Sequence, residues 1–150
     1  MKKFVYKMQS VLNIKEKLEE QEKARYATAQ AKLNEEEQKL AALNLRHADC
    51  EANLRELVGA NLNIMTIRHG EDALETLKIF IERQKTAVQK AQNNVDAAMH
   101  RLREAMVERE TQEKLKEKAF QEYLAELNAE EQKEIDELVS FRHKLTEMVE

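Results

Sequence analysis

Between Leu33 and Leu57 a single set of positions recurs at alternating steps of three and four: Leu33, Glu36, Leu40, Leu43, His47, Cys50, Leu54 and Leu57. That alternation is the seam of a left-handed coiled coil, in which an apolar stripe stays on one helix face only if a partner stripe covers it. A second series supplies the partner: Leu74, Leu77, Ile81, Gln84, Val88, Ala91, Val95, Ala98 and Leu102. Small residues alternate with branched ones there, so close helix packing is expected. Few folds satisfy both stripes at once, and the simplest is a helix that turns back on itself.

The chain between and around these series agrees. It contains no proline and two glycines in 150 residues, with 36% charged side chains. An ordinary globular domain needs many turns, and turns draw on Gly, Pro, Asn, Asp and Ser. A composition led by Ala, Glu, Lys, Leu, Gln and Arg belongs to long helices and coiled coils. Disorder is the competing reading for so polar a chain, and the sustained three–four spacing argues against it.

The linker "LVGANLNIMTIRHGED" holds the reversal. Gly59 fits the position just beyond a helix end, where a left-handed backbone is favoured. Asn63 fits an N-cap for the next helix, with Gly70 a competing start. The sequence therefore predicts an all-α fold, an antiparallel two-helix coiled-coil hairpin whose second helix is the longer. Helix 1 is expected over about 4–58, the turn over about 59–63 and helix 2 over about 64–146, as one elongated hairpin. The first helix starts either near residue 3 or nearer residue 10.

Two irregularities are expected along the seam. Upstream, Val11, Ile14, Leu18, Glu22, Tyr26 and Ala29 continue the series but include consecutive four-residue steps after Ile14. Those steps read as a stutter that locally unwinds the supercoil. Downstream of Leu102, the series shifts to Met106, Arg109 and Glu113 before resuming at Phe120.

A turn centred near residues 60–61 places Leu57 against Ile64, Leu40 against Ile81, Leu33 against Val88, Tyr26 against Val95 and Leu18 near Leu102. Apolar meets apolar throughout. On this register the first arm is exhausted when its partner has reached about residue 120, leaving roughly thirty residues, or ~45 Å, unpaired. That overhang includes "AFQEYLAELNAEEQKEIDEL", whose Phe120, Leu124, Leu127, Ile135 and Leu138 would line one helix side. An unpartnered apolar stripe marks an interaction surface. A homodimer, a frayed tail and a foreign partner all remain open for it.

Charge excludes little but directs the search. The net charge is −4, and no clustered basic face points to nucleic acid. Residues 1–34 carry eight Lys/Arg and four Glu, whereas residues 119–150 carry nine Asp/Glu and three Lys/Arg. A single cysteine, Cys50, excludes an internal disulfide framework and suits a reducing compartment. No run approaches the ~20 apolar residues of a membrane span, so no direct membrane insertion is expected.

No phosphate loop, nucleophile elbow or paired-cysteine motif occurs. The nearest approach to a site is His47 and Cys50 on one face, with His69 as a distant third ligand. Structural zinc requires four ligands in a closed tetrahedron, so seam packing is the better reading of both residues. Neither enzyme chemistry nor a cofactor is expected, and an interaction protein is.

Three stretches carry a family likeness: "MKKFVYKMQSVLNIKEKLEEQEK", "IRHGEDALETLKIFIERQK" and "KLKEKAFQEYLAELNAEEQKEIDELVSFRH". Together they resemble the flagellar export protein family FliJ over nearly the whole chain. The best discriminators are the terminal "EEQKEIDEL" and the pattern F-x-Y-x-x-Q-x-x-L-x-I-K-E at residues 4–16. The resemblance implies a non-enzymatic stalk, similar to the rotor stalk of rotary ATPases, for the hexameric flagellar export ATPase. It also implies contact with the cytoplasmic domain of the export gate, a role with export chaperones, and a cytoplasmic place peripheral to the inner membrane.

By that resemblance the overhang residues are the ring contact, and Leu43, Leu77 and Phe80 are the gate contacts. Leu43 and Leu77 also fall in the seam, which favours core packing for both. Phe80 lies one step outside it. Arg46, Cys50 and Ala73 stand where some members carry aromatics, a departure that bears on gate binding. Two alternatives are a self-assembling structural coiled coil and the equivalent stalk of a virulence type III secretion system.

Overall fold

The computed structural model describes residues 2–60 and 63–149. It contains two helices, α1 (Gln9–Gly59) and α2 (Ile64–Val149), of 51 and 86 residues. No strand occurs among the described residues. The helices pack against each other in an antiparallel sense, and the second is the longer, as expected. By contacts the chain divides into two compact units: Glu20–Glu104, and Met1–Glu19 with Ala105–Glu150.

In the Glu20–Glu104 unit the antiparallel sense is fixed by named contacts. Leu54 lies against Gly70, and Gln84 Nε2 donates to the Glu36 carbonyl at 2.9 Å. The core centres on Leu33, Ala91 and Val95, with Tyr26, Ala29 and Val88 packed around them. Leu33 with Val88 and Tyr26 with Val95 share that core, but Leu54 lies against Gly70 rather than the expected Ile67, three residues away. Ile64 at 70% and Leu18 at 39% exposure are not the seam partners expected for Leu57 and Leu102. Burying a leucine such as Leu33 contributes about 2 kcal/mol. Ala91 and Ala98 are buried, as the alternation of small and branched residues required.

The turn differs from expectation. Asn63 caps α2 as read, its Oδ1 accepting from the Met65 amide at 3.0 Å. Gly70 does not start the helix; it lies inside α2, where a Cβ would come within 2.9 Å of Leu54 Cδ1. Its missing side chain admits the facing leucine. Gly59 is the last residue of α1 and keeps helical backbone rather than a left-handed one, and the Ala60 amide still reaches the Glu56 carbonyl at 3.0 Å. Of the expected turn at 59–63, residues 61 and 62 lie outside the described residues.

In the other unit, α1 begins at Gln9 rather than near residue 4. Residues 2–6 form a non-helical strap that ends in a turn, where the Gln9 amide donates to the Tyr6 carbonyl at 3.1 Å. Neither expected irregularity of the seam exists. The less exposed positions of α1 run Leu12, Lys15, Glu19, Glu22, Tyr26 and on to Leu57 in unbroken three–four alternation. Leu12 is 3% exposed and Ile14 55%, so the stutter through Ile14 and Leu18 is incorrect. In α2 the same strict alternation continues from Ile67 through Leu102, Ala105, Arg109, Gln112, Lys116 and Ala119 to Tyr123. Ala105, not Met106, takes the most buried place.

The reason is electrostatic. Glu19 is buried, and Arg109 donates to it through Nε and to Glu113 through Nη1 at 2.7 Å. Lys15 pairs with Glu108 at 2.8 Å. The aliphatic stems of Lys and Arg cover apolar surface while their heads stay paired, so charged residues serve as seam residues here. An apolar count alone misses them.

Candidate partner surfaces

The strap changes what the overhang is. The Phe4 ring packs edge-on to Phe120, with centroids 5.1 Å apart, and lies 5.5 Å from Tyr123. The Tyr123 hydroxyl donates to the Lys2 carbonyl, and the Tyr6 hydroxyl donates to Gln112 Oε1 at 3.2 Å. Phe120 therefore has a partner inside the chain, contrary to the expectation that the first arm ends before it. Leu124 and Leu127 are half-buried. Every described residue from Asn128 to Val149 is exposed.

Of the five residues expected to form the ring contact, Ile135 and Leu138 alone lie on this fully exposed segment, Leu138 at 68%. They belong to a larger apolar strip with Val139, Phe141 and Leu145. Those three were missed, although "LVSFRHKL" carries the spacing that would have shown them. The acidic Glu130, Glu131, Glu134, Asp136 and Glu137 are all exposed.

The strip is not a prolongation of the hairpin seam. Continuing the seam beyond Tyr123 by the same steps reaches Glu126, Glu130, Lys133, Glu137, Ser140, Lys144 and Glu147, all polar. The exposed apolar residues instead follow a series Ile135, Leu138, Leu145 and Val149, with the cation Arg142 at its middle position. They are offset by one or two residues, and one residue is ~100° around the helix. The stripe has rotated away from the side that α1 occupies.

In the Glu20–Glu104 unit the three expected gate residues separate. Leu77 is buried at 8% exposure and Leu43 is half-buried in the seam. Phe80 is 44% exposed, beside a still more open Ile79 that apolar seam spacing does not mark. Arg46 and Ala73 are exposed and Cys50 is half-buried.

The electrostatics of the chain belongs to its seam. Glu36 is buried and accepts from Gln84, with Lys32 Nζ at 3.1 Å. The Gln84 hydrogen bond, and then Lys32, hold the Glu36 carboxyl below its usual range. Lys32 is raised by Glu36 in return, and Arg109 is raised by its bonds to Glu19 and Glu113. His47 places Nδ1 4.0 Å from Glu51 while its buried Nε2 has no hydrogen-bond partner. No group of three or more His, Cys, Asp or Glu among the described residues is arranged to hold a metal. None of their helices is long and apolar enough to cross a membrane.

A strict heptad hairpin with a free apolar end is a general device, and comparison with known proteins narrows it. The family model described as "Flagellar FliJ protein" matches residues 3–147. The chain belongs to the FliJ family. Among solved structures it is similar to a proposed YscO homolog, CT670, from Chlamydia trachomatis, with 25% identity and a TM-score of 0.58. That similarity covers 99% of this chain and 100% of the other. No curated protein matches it. Within this FliJ-family chain, the Ile135–Leu145 strip and the Ile79–Phe80 pair are among the exposed apolar patches of the described residues.

Proposed function

We propose that this FliJ-family protein is the non-enzymatic central stalk of the hexameric flagellar export ATPase. In this reading the strip around Ile135 and Leu138 contacts the inside of the ring. Phe80, with Ile79, faces the cytoplasmic domain of the export gate, and the hairpin escorts export chaperones between the two. Phe120, which meets the strap through Phe4, and the half-buried Leu124 and Leu127 act behind the strip.

The observation that carries the proposal is the rotated stripe. Apolar side chains beyond Leu127 face away from the hairpin's own seam. A helix maintains such a stripe to bury it against something else. The test is Ile135→Asp with Leu138→Asp, measured by binding of the purified export ATPase. Both residues are exposed, so helicity should be unchanged while binding falls at least tenfold. Undiminished binding would remove the strip from the ring. Phe80→Asp should weaken binding of the isolated gate domain while leaving ATPase binding intact.

The likeness to a proposed YscO homolog favours a second reading, the equivalent stalk of a virulence type III secretion system. It differs in partner alone. Parallel pull-downs with flagellar and virulence ATPases separate the two.

A further inference from the structure

The strip has a second property that ring binding does not use: it is complementary to itself when reversed. Residues 128–138 hold five carboxylates and one lysine, whereas residues 139–149 hold Arg142, Lys144, His143 and one carboxylate, Glu147. Arg142 and Lys144 form no ion pair among the described residues, and neither do Glu134 and Glu137. Two copies aligned in parallel would set the acidic half against itself. Two copies aligned antiparallel set the acidic half of each beside the cations of the other.

The apolar residues fit the same arrangement. With Ile135, Leu138, Arg142 and Leu145 as the alternating seam, an antiparallel two-fold pair brings Ile135 opposite the Leu145 of the second copy. Val139 and Phe141, which flank that seam, then each meet their own counterpart near the axis. An isologous contact of this kind closes on itself and gives a dimer rather than a filament. We propose that two copies of this protein associate through antiparallel pairing of their α2 ends, residues 128–149, and that the dimer conceals the strip when no other partner holds it.

The area is modest. About six apolar side chains per copy over six helical turns correspond to roughly 1,000 Å² in total, the lower end of specific interfaces. Association should therefore lie in the micromolar range. The proposal does not depend on the ATPase reading, since it concerns the protein alone.

Sedimentation equilibrium of the full chain from about 1 to 200 µM is the test, at low and high salt. The mass should rise from one chain toward two, and salt should weaken the association because charge contributes to it. Phe141→Glu should abolish the rise without altering helicity, since it places two carboxylates beside the axis. A single-chain mass throughout that range overturns the proposal, as does a dimer indifferent to Phe141→Glu. Orientation is read with Cys50→Ser as background. Val139→Cys should cross-link two chains rapidly under mild oxidation and Ile135→Cys slowly. The reverse order signifies a parallel pair and refutes the antiparallel one.

Discussion

Leu12 and Ile14 make the seam of α1 measurable. The two are separated by a single residue and both are aliphatic, yet they are 3% and 55% exposed. A strict heptad puts Leu12 inside, whereas a stutter would put Ile14 there. Leu12→Ala removes about three methylene equivalents, worth about 2.4 kcal/mol at ~0.8 kcal/mol each. A seam one side chain deep can close around part of the gap, so the cavity penalty adds little, and about 2–3 kcal/mol is expected. Ile14→Ala removes surface that is already half in water, roughly 1 kcal/mol, and recovers a few tenths through the better helix propensity of alanine. Its net cost should stay below about 1 kcal/mol. Urea unfolding followed by helical circular dichroism gives both numbers, as a fall in midpoint at constant slope. Equal costs, or a greater cost for Ile14→Ala, would refute the unbroken seam and restore the stutter.

Two further predictions follow from the caps and the polar seam. Asn63→Ala should cost about 1 kcal/mol, and hydrogen exchange should show it first at the Met65 amide, which loses its acceptor. The Glu36 carboxyl is held below its ordinary 4.5 by Gln84 and Lys32. A group depressed in the folded state contributes stability above its unfolded value and loses that contribution as pH falls through the folded one. The wild type should therefore lose midpoint as pH drops below about 4.5, and Glu36→Gln should show a shallower loss. An identical acid limb for the two proteins would show that the Glu36 bonds do not persist in solution.

Much of the hairpin was legible because its middle is written in apolar residues. Leu33, Val88, Ala91 and Val95 declare a period, and the observed core keeps it, while the contact of Leu54 with Gly70 sets a register three residues from the one that apolar matching suggests. Toward the chain ends that alphabet changes. Lys15, Glu19 and Gln112 occupy seam positions that no hydrophobicity count would award them, because each is admitted by a specific partner across the helix pair. Ile14 and Leu18 then face outward, and the eye that follows apolar residues follows them off the seam.

The candidate surfaces divide in the same way. Phe80 could be placed outside the seam by counting steps. Phe120 could not, because its ring partner, Phe4, sits on a strap that abandons helical geometry at Tyr6. Val139, Phe141 and Leu145 were present in the spacing but overshadowed by the acidic stretch before them.

Sequence by itself determined the helices, the reversal near Asn63, the antiparallel sense and the seam period of the middle. These follow from local propensity and from a period that an antiparallel pairing satisfies. Tertiary structure decided which charged residues lie inside, where the first arm ends and where the exposed strip begins. Those outcomes depend on partners distant in sequence, such as Glu19 with Arg109 and Phe4 with Phe120. A side chain's burial is a property of the pair, and neither member's identity announces it alone.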